Sequence, residues 1–307
     1  MRVGVILPNP GVLMDLPTLL AEMARAEERG MQSIWVANVP RGYDALTLLA
    51  LAGQHTRTIE LGTFVVPTYP RHPVAMAQQA LTTNVATGGR LVLGIGLSHR
   101  VVMEAGLGFD WSHPIRHMRE YLACLTGFLS GEPVTFAGEE FHITNFGITV
   151  ADATPPPVLV AALGPQMLRL AGRHADGTAL WMGGAHYLAS DAVPTITAAA
   201  REAGRAAPRV VAGLPVCVTD NADTVRAEVN TIFGRYGQLP SYRAVLDKGG
   251  ATGPADVALV GDEVAVFAAL RALADVGATD LVAAVYTPAG ENAARTYDLL
   301  ERYINAE

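Results

Sequence analysis

Cysteine is almost absent from this chain, and the little there is does not cluster. Cys124 and Cys217 are the only two, each in an apolar stretch, with no C-x-x-C and no Cys/His ligand spacing nearby. That removes a disulfide framework and a structural zinc site from consideration and suits a reducing compartment. Positive charge is also short. Lys and Arg number 22 against 29 Asp and Glu, for a net charge of −7, and no basic run occurs. Nothing here offers the basic face that displaces counterions from nucleic acid. Apolar runs stay well under the roughly 18 residues that a membrane span needs. The apolar start MRVGVILPNP stops at Pro8, too soon for the apolar region of a signal peptide. The expectation is a cytoplasmic protein that binds neither nucleic acid nor membrane.

What is present is a large supply of core. Half of the residues are hydrophobic and only 17% are charged, which is not the balance of a disordered chain. The apolar residues fall into short β-branched runs at Val3–Leu7, Ser33–Ala37, Ile59–Val66, Leu91–Ile95, Pro157–Ala161, Thr178–Met182, Arg209–Val218 and Asp280–Tyr286. Helical patterns separate them, at Leu16–Arg29, Tyr43–His55, Pro73–Thr87, His113–Leu129, Gln166–His174, Ser190–Ala203, Ala222–Tyr236 and Asp262–Val276, with Ala289–Ile304 closing the chain. Strand–helix alternation means βα units and a parallel sheet. Eight such units with no linker between them point to an α/β fold, a closed (β/α)₈ TIM barrel forming a single domain over residues 1–307. Two insertions are expected. Pro133–Phe136 and Glu140–Ile143 flank a turn after the fourth unit, and Leu239–Pro254 reads as irregular and polar after the seventh strand.

Active sites of such barrels sit at the C-terminal strand ends. The candidates there are Pro8 and Asn9; Asn38, Pro40 and Arg41; Val65, Pro67, Thr68 and Tyr69; Gly96, Leu97, Ser98, His99 and Arg100; Ala162, Leu163 and Gly164; and Trp181 to Gly184 with His186. This set is poor in carboxylates. It holds no acid pair for glycoside hydrolysis, no ligand cluster for a catalytic metal and no G-x-S-x-G elbow. Small residues, aromatics and backbone amides suit a planar cofactor that carries its own chemistry.

Leu163-Gly164-Pro165-Gln166 opens a helix directly after a strand, a geometry that favours a phosphate but also serves as a tight βα turn. Gly94-Ile95-Gly96 lacks the third glycine of a dinucleotide fingerprint, His99 standing in its place. The two glycines make room for a ligand or a backbone at the strand end. His99 is the one strand-end group with acid–base capacity near neutral pH, set against a plain surface histidine. Trp181 either walls a cofactor ring or fills the barrel. His72, beside Pro73, and His174 read as helix caps.

Several stretches together resemble the luciferase-like monooxygenase superfamily. They are Thr56 to Pro67, Arg71-His72-Pro73, Gly88 to Gly96, Tyr121-Leu122, Leu129 to Val134 ending in Gly138, and Val160 to Leu168 running on to Asp176-Gly177. The resemblance covers nearly the whole chain. In the second half, Leu239 to Arg243, Pro254 to Ala258 and Gly261-Asp262-Glu263 are similar to the actinobacterial coenzyme F420-dependent oxidoreductases. The resemblance implies a homodimeric barrel that moves a hydride between F420 and a small organic substrate. An FMN-dependent monooxygenase of the same fold is the alternative, and a non-catalytic F420 or flavin binder is a third reading. It also implies a non-prolyl cis bond at Phe64–Val65 beside the cofactor ring, with Thr63 next to it. A phosphate contact is implied at Ala161, Ala162, Leu163 and Gly164, and further cofactor contacts at Asn38, Gly96, Leu97, Ser98 and Trp181. Apart from the resemblance, His99 is the candidate proton donor. Where several relatives carry an acidic residue and a histidine, this chain has Ala37-Asn38-Val39, and His99 stands near the glutamate of sugar-phosphate relatives. A sugar-phosphate substrate is therefore not expected. With Arg41, Arg71 and Arg100 as the only evident cations near the strand ends, the expected substrate is apolar and not strongly anionic.

Overall fold

The structure, a computed structural model, describes residues 1–288 and 292–306. Eight parallel strands form the frame: β1 (Arg2–Ile6), β2 (Ser33–Val36), β3 (Glu60–Thr63), β4 (Leu91–Gly96), β5 (Val158–Ala161), β6 (Gly177–Trp181), β7 (Arg209–Val218) and β8 (Asp280–Val285). Each pairs with the next, and β8 pairs back to β1 through Val5 and Ala283, so the sheet closes. The barrel expected from the alternation is present, and each strand lies close to its expected position.

Strand residues alternate between two buried faces, which explains why the strands read as continuous apolar runs. Ile6, Trp35, Val92, Leu159, Val211, Val282 and Ala284 pack together inside the barrel. Their neighbours Val5, Ile34, Leu61, Leu93, Val160, Ala212 and Ala283 join the core under the helices. Trp35 is 0% exposed, and a ring that size fits only because β3 offers Gly62, where a Cβ would lie 2.3 Å from the indole Cε3.

The N-terminal end of the barrel is closed by charge. Arg209 of β7 reaches Glu60 of β3 at 2.9 Å and Asp280 of β8 at 2.6 Å. Arg2 of β1 adds contacts to both carboxylates, at 3.1 and 3.5 Å. Asp280 is 1% exposed. A charge so buried is tolerable only when paired and hydrogen-bonded.

The structure corrects the reading of the chain in four places. Leu239–Pro254 is not irregular. It contains a helix, Pro240–Lys248, reached from helix Ala222–Phe233 through a single turn at Tyr236–Gln238. That helix is short and buries only Val245 and Leu246, so its apolar periodicity is too weak to read. A further strand, Leu259–Gly261, extends the sheet beside the end of β7. The segment expected as one helix from Ser190 begins earlier, as Ala185–Tyr187, a wide turn at Leu188–Ala192 and then Val193–Glu202. The hairpin pairs Val134–Ala137 with His142–Phe146, its second strand lying later than expected. The expected start of the closing helix at Ala289 lies outside the described residues; that helix runs Ala294–Ala306. No helix among the described residues is long and apolar enough to cross a membrane.

Arg209→Ala leaves Glu60 and the buried Asp280 to Arg2 alone. We expect it to cost about 3–5 kcal/mol in urea unfolding, the range for breaking a buried pair on one side.

Candidate active site

The floor of the open end is set by a break in β3. Gly62 pairs with Val92, but Val66 pairs with Ile95, so β3 carries one residue more than β4 over the same span, the signature of a bulge. Thr63 covers the break. Its hydroxyl accepts the Gly94 N–H at 2.8 Å and donates to the Gly94 carbonyl at 2.7 Å, replacing ladder bonds that would otherwise be lost in a buried wall. Gly94 has to be glycine, since a Cβ there would sit 2.1 Å from the Thr63 carbonyl oxygen. The Phe64–Val65 bond is cis, and the Phe64 N–H donates to Val36 O at 2.7 Å.

The Phe64 ring points inward, edge-on to Trp35 at 6.0 Å and to Trp181 at 6.4 Å. Gly213 of β7 leaves the space beneath it, where a Cβ would meet the Phe64 Cζ at 2.6 Å. The inward positions nearest the open end are otherwise small: Ala37, Gly96, Ala161 and Ala284. The Val65 side chain lies over Gly96, whose added Cβ would be 2.6 Å from Val65 Cγ2. The result is a recess floored by small residues and walled by Phe64 and Trp181.

Rings continue up the wall. Trp181 meets Phe233 at 5.7 Å and Tyr236 at 6.1 Å; Tyr236 meets Tyr242 at 4.9 Å. His99 sits against both tyrosines, 6.1 and 5.8 Å away. Burial, helped by the nearby Arg235 guanidinium, holds its imidazole below the ordinary value of 6.5, so it is neutral at pH 7. Nearby, Tyr69 stacks on His117 at 4.0 Å and on Trp111 at 5.1 Å. His117 Nε2 lies 3.0 Å from the Thr68 hydroxyl. Burial depresses the His117 imidazole to about 4, against the opposing pull of Glu140 and Glu120.

Two buried polar atoms have no hydrogen-bond partner among the described residues: Trp181 Nε1 and Asn9 Oδ1. Such atoms in a native structure ask for a ligand or a water. Gly164 caps helix Pro165–His174, with open space where a Cβ would stand. The carbonyl of Leu163 accepts the Tyr187 hydroxyl at 2.6 Å, which fixes this loop.

Thr63, Phe64, Val65, Gly96, Ala161, Trp181 and His99 thus converge on one recess or its wall. Other candidates have structural engagements of their own. Asn38 spends its Oδ1 on the Ala45 N–H at 3.0 Å, capping a helix. Ala162 is turned into the core under the helices, and Leu97 leans on the same core. Ser98 takes a left-handed backbone, φ +64°. His72 caps its helix through the Val74 N–H. Two of the expected cations are neutralised, Arg71 by Asp44 and Arg100 by Glu104. Tyr236 and Tyr242 were missed, because the segment carrying them gave no strand-end signal. A separate cavity of about 320 Å³ lies outside the barrel wall, lined by Leu214, Val245 and Leu273. His186, Tyr187 and Asp256 also line it, but the Tyr187 hydroxyl is spent on Leu163 O and the Asp256 carboxylate on Thr252 and Gly253, so the mouth is taken as the candidate site.

The open end of the closed barrel is thus a recess with ring walls and two unpaired buried polar atoms, a shape that suits a planar ligand. The model of the luciferase-like monooxygenase family matches residues 1–280, and the chain belongs to that family. It is 28% identical over 312 residues to 5,10-methylenetetrahydromethanopterin reductase of Methanolobus tindarius, covering 91% of this chain and 93% of the relative. It is 30% identical over 264 residues to the F420-dependent glucose-6-phosphate dehydrogenase of Nakamurella multipartita, covering 81% and 76%. Its fold is shared with an F420-dependent secondary alcohol dehydrogenase solved with an F420–acetone adduct, at a TM-score of 0.78, 17% identity and 99% and 98% coverage.

His117 gives this region a pH limit. Its folded-state value lies below its unfolded one, so the unfolded chain takes up the proton first. Stability is full above about 6.5, the unperturbed value, and falls as pH drops toward the folded value of about 4. Melting temperature should decline over that window, and His117→Gln, which can still bond Thr68, should flatten the decline.

Proposed function

We propose that the protein is an oxidoreductase that transfers a hydride between coenzyme F420 and a small, uncharged organic molecule. The observation that carries this reading is the recess itself: small side chains at Ala37, Gly96, Ala161 and Ala284 below, rings of Phe64 and Trp181 beside it, and a buried Trp181 N–H lacking an acceptor. A planar heterocycle with ring carbonyls suits both the shape and the unpaired donor. The amides that open helix Pro165–His174 suit its phosphate, aided by the helix dipole. When bound, F420 supplies a carbon centre that gives or takes a hydride, chemistry no side chain provides.

The remaining work falls to the chain. Trp181, Phe233, Tyr236 and Tyr242 exclude water from the recess. His99, neutral at pH 7, accepts a proton from a substrate hydroxyl in the oxidative direction and returns it in reverse. Two of the rim cations, Arg71 and Arg100, are paired with carboxylates, which reduces their pull on an anionic substrate. The protein is read as a cytoplasmic homodimer, and light scattering tests the dimer.

A titration against F420, FMN and NADP tests the cofactor. Submicromolar F420 binding with FMN and NADP at least tenfold weaker is expected; tighter FMN binding would turn the reading to a flavin monooxygenase. Once a substrate is found, His99→Ala should lower kcat about 10²-fold and remove the acid limb of the pH profile, whose midpoint lies below 6.5. An unchanged profile removes His99 from the chemistry.

A further inference from the structure

Three polar rings meet at the wall of the recess. His99, Tyr236 and Tyr242 form a triangle: His99 lies 6.1 Å from Tyr236 and 5.8 Å from Tyr242, and the two tyrosines are 4.9 Å apart. Tyr236 also meets Trp181 at 6.1 Å, which ties the triangle to the recess. The backbone fixes the tyrosines relative to each other. The Leu239 N–H donates to Tyr236 O at 3.3 Å, and the Tyr242 N–H donates to Leu239 O at 3.0 Å.

Three other tyrosines near the open end spend their hydroxyls within the chain. Tyr286 donates to the Glu228 carboxylate of helix Ala222–Phe233, Tyr187 to Leu163 O and Tyr121 to Arg71 O. Among the described residues no side-chain hydrogen bond engages Tyr236, Tyr242 or His99. Nor do their polar atoms stand with Trp181 Nε1 and Asn9 Oδ1 as sealed and unpaired, so they are open to an incoming group. Burial lifts both phenols above their ordinary range, with Arg235 opposing at Tyr236 and Tyr236 adding at Tyr242. Each phenol therefore keeps its proton and offers it as a donor. His99, held neutral, keeps a lone pair to accept with.

We infer that Tyr236 and Tyr242 bind the reacting oxygen of the substrate, and that the substrate is a neutral alcohol or the corresponding carbonyl compound; this rests on the hydride-transfer reading above. An alcohol oxygen has one proton and two lone pairs. The proton faces His99 and the lone pairs take the two phenol hydrogens, so each group is used once. When the carbinol carbon gives up its hydride to the cofactor, the hydroxyl proton passes to His99 and the C–O bond becomes a carbonyl. Its oxygen still has two lone pairs for the same two donors. Reduction reverses each transfer. Between the two states the oxygen carries negative charge, and donors placed in advance stabilise it. The Arg235 guanidinium, near enough to hold the His99 imidazole down, adds a field of the same sense.

The test compares two probes of one shape on protein with and without F420: cyclohexanone with its carbonyl carbon isotopically labelled, and methylenecyclohexane, which lacks the oxygen. Tyr236→Phe and Tyr242→Phe each remove one hydroxyl and keep the ring. Each should weaken cyclohexanone binding about tenfold, the contribution of one hydrogen bond. Methylenecyclohexane binding, F420 affinity and melting temperature should not change. The carbonyl carbon resonance should move downfield when the ketone binds the wild type and part of the way back in each variant, a change that a purely structural wall would not produce. No downfield-shifted bound ketone in the wild type overturns the proposal. So does either variant that leaves ketone affinity and resonance unchanged, or that weakens both probes equally. Loss of F420 affinity in either variant overturns it too, because the hydroxyls would then serve the cofactor. If the variants behave as expected but the wild type does not bind F420, the cofactor reading falls and the oxygen site stands.

Discussion

The open end of this barrel hangs on the bracket between Thr63 and Gly94. One hydroxyl both receives the Gly94 N–H and donates to the Gly94 carbonyl, so β3 can gain a residue without orphaning backbone groups inside a buried wall. The extra residue turns Phe64 inward and lays Val65 across Gly96. Phe64 then needs Gly213 beneath it, as Trp35 one level down needs Gly62. Rings from β2, β3 and β6 are matched to holes on β3 and β7, and these ring–hole pairs define the recess. A Cβ at Gly94, Gly62 or Gly213 would not just crowd a neighbour. It would move the floor.

Polarity is divided between the two ends. The closed end carries Arg2, Glu60, Arg209 and Asp280 in a compact ion network. Charge there ties β1, β3, β7 and β8 together at their starts and touches no recess residue. The open end keeps less bare charge: His99 and His117 are held uncharged by burial, and two of its rim arginines are paired. In such a site few charges compete with a hydride for stabilisation, and exclusion of water and orientation do most of the work. The segment after β7 completes this environment. Helix Ala222–Phe233, its following turn and helix Pro240–Lys248 bring Phe233, Tyr236 and Tyr242 over the mouth, and the first of these helices also holds Glu228 against Tyr286.

Much of this was legible in the sequence. The alternation of β-branched runs with helical patterns determined the barrel, because period-2 and period-3.6 burial are local properties of a chain. Gly94, Gly96 and Trp181 were marked as strand-end residues with a packing or binding role, and His99 as the one group there with acid–base capacity. The helix Pro240–Lys248 was not legible, since only two of its residues are buried. Nor were Tyr236, Tyr242, Glu228 and Tyr286 recognised. Tyr286 did carry a signal, being in phase with Val282 and Ala284, but its partner lies 58 residues away.

The sequence by itself determined which residues could point inward and at which end of each strand they stand. Tertiary structure alone decided which of them meet. It decided that Thr63 answers Gly94, that the rings of Phe64 and Trp181 share one glycine, and that a carboxylate on a helix accepts a hydrogen bond from a strand-end tyrosine. The physical reason is that these contacts depend on strand register and barrel closure. Both are set by the sum of all the pairings around the sheet, and no local stretch of the chain encodes them.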